Sequence, residues 1–275
     1  MSDYLAHWGM VDRPFRLRDT ATFYMSYSHR RFVADFTDYV SSPTQFARIE
    51  AERQSGLTSL LNWVAGLQGV ESTSLRVLLS HEGQCGDGRT INDLCQSLDL
   101  PTDLSSEAGL KLLCEQIDSD ADRGLSVIWL LDRPNQSLIR FASELSRTTR
   151  GLRLLFAGPA MPADDGRGDL GCDLPLDQRI DKVFSTTVSR RIQFNGLQLA
   201  ETVDMLEMCL SEVGGDKVIF SETAVRLLYQ LSKGRVGFLT EMAEDSLRLA
   251  AQWSCSQVTA DHVGLVFQNQ FQDAA

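Results

Sequence analysis

The sequence predicts an α/β domain, a three-layer parallel sheet with flanking helices, followed by a small all-helical domain. Three observations carry this expectation. Apolar strand candidates alternate with helical segments between Phe46 and Phe194. Leu125-Ser-Val-Ile-Trp-Leu-Leu131 is an almost unbroken apolar run, which suits a strand buried on both faces of a parallel sheet. Beyond Asn195 the strand pattern stops and only helical periodicity remains.

Each element has its own signal. Phe46–Ala51 reads as a strand, and Glu52–Gly56 as a turn. Leu57, Leu60, Leu61, Val64 and Leu67 then recur at helical spacing. Ser74–Leu79 is a second strand, followed by the glycine-rich stretch His81–Thr90 and a helix over Ile91–Leu98. Glu107–Ser119 is a helix, Leu125–Leu131 a strand closing on Asp132, Ser137–Arg147 a helix and Leu152–Ala157 a strand. Strands separated by helices in this way form right-handed βαβ units. Gly158–Asp177 breaks the rhythm with glycine, proline and aspartate; with so little apolar surface it is expected to be a mobile or partner-dependent loop. Leu197–Val213, Ser221–Ser232, Gly237–Trp253 and Thr259–Gln270 read as four helices. The expected organisation is a lead-in segment over 1–45 packing on the core, an α/β core over 46–194 and a helical domain over 195–275.

Composition narrows the function classes. The 275 residues carry 26 Lys+Arg and 37 Asp+Glu, a net charge of −11, which disfavours a nucleic-acid-coating protein. No apolar run approaches the ~20 residues a membrane span needs, and the N-terminus lacks the basic-then-apolar pattern of a signal peptide. Cys85, Cys95, Cys114, Cys172, Cys209 and Cys255 contain no C-x-x-C pair and read as reduced, mostly buried side chains of a cytoplasmic protein. The histidines, His7, His29, His81 and His262, are scattered, so no metal site is expected.

The functional signal lies in three places. A strand, a turn holding Gly56 and Thr58, and a helix are the setting of a P-loop; a later apolar strand ending in Asp132 is the setting of a Walker B motif. The opening Tyr4-Leu-Ala-His-Trp-Gly9 with Arg13-Pro-Phe15, then Phe23-Tyr24 and Ser28-His29, completes the order. Together with Arg191-Ile192, Glu201-Thr202 and Phe220, these residues resemble the AAA+ ATPases of the ExeA-like branch. That branch is named for general secretion pathway protein A and is related to transposition regulators. The resemblance spans nearly the whole chain and implies a P-loop NTPase-like core with a helical AAA+ lid. It also implies a role in bacterial secretion, pilus or mobile-element assembly. The chain ends soon after the lid, without the membrane span and wall-binding module of longer members, which points to a cytosolic partner.

The chain departs from the family at each catalytic station. A P-loop, G-x-x-x-x-G-K-[ST], cradles phosphates with backbone N–H groups and reaches them with lysine. Here the stretch is Ala51-Glu52-Arg53-Gln54-Ser55-Gly56-Leu57-Thr58. Leu57 replaces the lysine and is expected to put apolar surface where phosphates would lie; losing the lysine alone weakens phosphate binding roughly ten- to a hundredfold. Arg53 is the one residue of the turn able to lend charge instead. The Walker B carboxylate that orients water is replaced by Arg133, which cannot take a proton. The family's "A-G-Q-P" sensor reads Ala157-Gly158-Pro159-Ala160, and its "G-x-P-R" reads Gly234-Arg235-Val236-Gly237. Arg190 and Arg191 stand at the family's arginine-finger position; an exposed basic pair on a strand or loop is the plain alternative.

These losses predict a catalytically inactive AAA+ ATPase-like protein, a pseudo-ATPase with no catalytic residues and no expected cofactor. Its expected role is a scaffold or regulatory subunit with protein partners, among them an active AAA+ paralogue, in a homo- or hetero-oligomer. The first alternative is a nucleotide-binding ATPase with a non-standard P-loop, Mg-ATP being held with Thr58 and Asp132 on the metal. The second is a DNA-associated regulator using Arg147, Arg150 and Arg153, which the charge disfavours.

Overall fold

The computed structural model describes residues 4–15, 24–66, 74–81, 83–159, 175–184 and 190–272. Five strands form one parallel sheet: β1 (Phe46–Ala51), β2 (Leu75–Ser80), β3 (Ser126–Asp132), β4 (Leu152–Pro159) and β5 (Arg190–Phe194). Their order is β2-β3-β4-β1-β5, so β3 and β4 lie inside the sheet and β1 has β4 and β5 as neighbours. The apolar run of β3 behaves as its composition demands. Val127, Trp129 and Leu131 on one face and Ile128 and Leu130 on the other are all 0% exposed. Buried Trp129 still satisfies its indole N–H, which donates to Ser80 Oγ at 3.0 Å.

The helices between the strands cover the sheet. α3 (Leu57–Gly66) buries Leu57, Leu60, Leu61 and Val64, one stripe at i, i+3, i+4 and i+7. α4 (Gly88–Ser97), α5 (Ser106–Asp122) and α6 (Gln136–Thr148) each begin at a side-chain cap, from Asp87, Ser105 and Asn135 respectively. The Asp87 cap starts α4 ahead of the expected Ile91, because the cap and not the first apolar residue nucleates the turn. Their apolar faces pack with Phe46, Trp129, Leu154 and Phe156 into one core.

The described residues divide into two compact units. One comprises Arg31–Arg53 and Leu57–Phe194; the other comprises Met1–Arg30, Gln54–Gly56 and Asn195–Ala275. The second is helical, with α8 (Leu199–Glu212), α9 (Glu222–Ser232), α10 (Val236–Gln252) and α11 (Ala260–Gln272). Leu206, Leu228, Leu239, Met242 and Leu247 form its core.

The lead-in segment departs from the expectation that 1–45 packs on the α/β core. Its first part, including α1 (Tyr4–His7), groups with the helical unit. Trp8, Met10 and Phe15 find their apolar partners there, and the Trp8 indole N–H donates to Leu247 O at 3.1 Å. Its second part is most of α2 (Tyr27–Ser41), which joins the α/β unit through buried Phe32, Phe36 and Tyr39. Four elements have no counterpart in the sequence expectation or only a partial one: the short α1, α2, the short α7 (Leu176–Asp181) and the edge strand β5. Most of the expected Gly158–Asp177 loop, Cys172 within it, lies outside the described residues, as does Phe23. Among the described residues no helix is long and apolar enough to cross a membrane.

Candidate functional site

Parallel strands bring their C-terminal ends to one edge of the sheet, where α/β proteins place their sites. Here that edge carries Ala51 at the end of β1, His81 after β2, and Asp132 with Arg133 at the end of β3. Thr58, in the first turn of α3, donates its hydroxyl to Asp132 Oδ2 at 2.7 Å. Asp132 is 1% exposed, and His81 Nδ1 stands 3.6 Å from the same oxygen. Arg133 Nε faces the other oxygen, Oδ1, at 3.9 Å. Arg133 has φ +47°, and its N–H donates to Ala157 O at 2.7 Å.

Thr58, Asp132 and Arg133 are therefore brought together as the motif spacing implies. His81 is the member that sequence reasoning missed. Only the sheet register reveals it: Ser80 pairs with Leu131, which sets the next residue of each strand side by side. The group is not a nucleophile triad. Both the Thr58 hydroxyl and the imidazole converge on the carboxylate, so the imidazole does not stand between hydroxyl and carboxylate as a triad's base does. Among the described residues no cluster of three or more His, Cys, Asp or Glu side chains is placed to hold a metal ion.

The turn between β1 and α3 keeps a strained path despite its missing glycines. Gln54 adopts φ +60° and Gly56 φ +91°. A non-glycine residue in that region carries a conformational penalty that the surroundings must offset. Within the helical unit the Gly237 N–H donates to Gln54 O at 2.7 Å. A Cβ at position 237 would stand 3.1 Å from Gln54 Cβ, so glycine there suits the close approach. Glu52, Arg53 and Gln54 are exposed, whereas Ala51 is buried and so is Ser55, whose hydroxyl has no hydrogen-bond partner. Leu57 is 8% exposed, which corrects the expectation of an apolar surface at the turn: it is the first member of α3's buried stripe.

The arginines flagged by the sequence are engaged within the chain. Arg190 Nη2 lies 3.3 Å from Asp38 and 3.6 Å from Asp35, and Arg191 Nε lies 3.6 Å from Glu50. The Arg191 side chain is the more open, 57% exposed against 31% for Arg190. Arg235 donates through Nε to Ser232 O at 3.0 Å and lies over the Phe238 ring. Arg153 holds Tyr39 O and Ser42 O, Arg150 pairs with Asp122, and Arg147 reaches Val183 O. These last three do not make an uncommitted basic patch.

In the helical unit the structure also brings Glu201 to the start of α2, next to Ser28-His29. Glu201 accepts from the Gln198 N–H at the start of α8, at 2.9 Å, and from the Tyr27 N–H at the start of α2. One carboxylate thus serves two helix N-termini, where negative charge is favoured. His29, beside it, is buried, and that burial holds its pKa down to about 4.

No protein-family model matches the chain, and no curated protein matches it in sequence. Solved structures do match in fold. The structure of Drosophila ORC bound to DNA aligns with 93% of this chain and 68% of its own, at 12% identity and TM-score 0.57. Cdc6p from Pyrobaculum aerophilum aligns with 92% and 68%, at 14% identity and TM-score 0.54. A Walker-type ATPase of Pyrococcus abyssi aligns with 95% and 76%, at 12% identity and TM-score 0.59. The parallel five-stranded sheet with flanking helices is the fold of these AAA+ ATPase-like P-loop proteins.

Proposed function

We propose that this chain is a pseudo-ATPase: an AAA+-like protein that does not turn over ATP and acts as a scaffold or regulatory subunit. Arg133 carries the reading. It follows Asp132 at the end of β3, where hydrolysis needs a carboxylate to orient water, and it turns a guanidinium toward that aspartate. A guanidinium accepts no proton, so no tuning of the surroundings restores the role. Leu57 supports the reading, because the position of the phosphate-binding lysine is spent on the core of α3. The fold is retained and the site decides the activity.

The partners that suit such a subunit are proteins, among them an active AAA+ paralogue in a cytoplasmic hetero-oligomer. Arg191, the more exposed of the basic pair, is the residue placed to be offered in trans. The ExeA-like resemblance puts that assembly in bacterial secretion, pilus biogenesis or mobile-element machinery. Calorimetry with Mg-ATP followed by a phosphate-release assay tests the core of the proposal. No protein-dependent release is expected. Micromolar binding with release that Asp132→Ala abolishes would overturn it. Such a result would establish the second reading, a nucleotide-binding ATPase with Arg53 in the lysine's role. The observation favouring that reading is the Thr58 hydroxyl on Asp132 at 2.7 Å, which keeps together the two groups that the resemblance assigns to the metal.

A further inference from the structure

A buried carboxylate needs counter-charge and hydrogen bonds to offset its lost hydration. Asp132 is 1% exposed, and only Oδ2 has a hydrogen bond, from Thr58. Oδ1 has no hydrogen-bond partner. The resemblance to AAA+ proteins implies Mg²⁺ on Thr58 and Asp132. The donor set here does not fit that ion. Mg²⁺ demands near-octahedral oxygen ligation at ~2.0–2.1 Å. Around Asp132 stand one hydroxyl, an imidazole nitrogen 3.6 Å from Oδ2, and a guanidinium nitrogen 3.9 Å from Oδ1. An ion on Oδ1 would lie within a few ångströms of that positive charge; Asp132 itself is buried, while the Arg133 and His81 side chains beside it are 51% and 49% exposed.

The backbone explains why the guanidinium is there. Arg133 N–H makes the last β3–β4 ladder bond, to Ala157 O at 2.7 Å, and its φ of +47° then ends the extended strand at this residue. We infer that Arg133 is the built-in counter-ion of Asp132 and stands in for the divalent cation, so that this edge of the sheet does not take Mg²⁺. The inference rests on the pseudo-ATPase reading of Asp132 and goes further, because it assigns a role to the residue that replaces the catalytic carboxylate.

The test uses Mn²⁺ alone as the probe, its free-ion paramagnetic resonance signal reporting binding in 0.15 M salt. Wild type is expected to show no Mn²⁺ binding that Asp132→Asn removes. Arg133→Gly suits the positive φ and leaves Asp132 without its counter-ion. It should gain about tenfold or more in Mn²⁺ affinity. The double variant Arg133→Gly/Asp132→Asn should lose that gain, and Arg133→Lys, which keeps the charge, should behave as wild type. Wild-type binding abolished by Asp132→Asn would overturn the inference, as would Arg133→Gly binding no more tightly than wild type. Circular dichroism checks folding; if Arg133→Gly does not fold, Arg133→Asn, which also tolerates positive φ and carries no charge, takes its place with the same expected gain. No nucleotide is present, so the result is separate from phosphate release, which alone judges the pseudo-ATPase reading.

Discussion

His29 makes stability depend on pH in a way that can be worked out in advance. It is the third residue of α2, behind Ser26. Its Nδ1 accepts from the Ser26 N–H at 3.2 Å and lies 2.6 Å from Ser26 Oγ, while the His29 N–H donates to Ser26 Oγ at 3.2 Å. This is a capping box with imidazole where Glu or Gln is usual. The ring must be unprotonated at Nδ1 to accept. Burial lowers its pKa from 6.5 to about 4; Glu201 pulls the value up and Arg30 pulls it down, both more weakly. The unfolded chain therefore takes the proton first as pH falls. The contribution is fully present above pH 6.5 and is lost as pH drops toward 4. Linkage over that window gives a loss of about 1.8 kcal/mol between pH 7 and 5, and about 2.8 kcal/mol by pH 4. His29→Gln keeps an acceptor at the same helix position and does not titrate. Urea unfolding of both proteins across the range isolates the effect from other carboxylates. Wild type should lose stability relative to His29→Gln by those amounts. Parallel curves for the two proteins would refute the account of the capped imidazole.

Three further outcomes follow from single contacts. Glu201→Ala strips both α2 and α8 of a charged N-terminal acceptor and should cost about 2 kcal/mol in urea unfolding, with Glu201→Gln losing less. Ser80→Ala leaves the buried Trp129 indole N–H without its acceptor and should cost about 1–3 kcal/mol, visible also as a shift in tryptophan emission. Leu57→Lys, the substitution that rewrites the turn toward a P-loop, removes a buried member of α3's stripe. It should lower thermal stability by an amount equivalent to about 1–3 kcal/mol before any gain in phosphate affinity is measured.

The sequence by itself determined the strand–helix alternation of the α/β unit and the helices of the other. Those elements rest on local periodicity and caps: the apolar run of β3, the i, i+3, i+4, i+7 stripe of α3 and the caps Asp87, Ser105 and Asn135 all act within a few residues. It also marked Thr58, Asp132 and Arg133, because motif spacing is a local property. It passed over α2, whose buried Phe32, Phe36 and Tyr39 lie among many polar neighbours, and it read β5 only as a basic strand or loop. Tertiary structure alone decided which residues meet. His81 reaches Asp132 through the pairing of β2 with β3, and Glu201 reaches the first turn of α2 from the start of α8. It also sent Leu57 into the core and set the Arg133 guanidinium against Asp132. The physical reason is common to these cases. Periodicity reports which face of an element is apolar, whereas the partner of a polar or charged group is chosen by sheet register, helix placement and backbone dihedrals, which no short window of sequence contains.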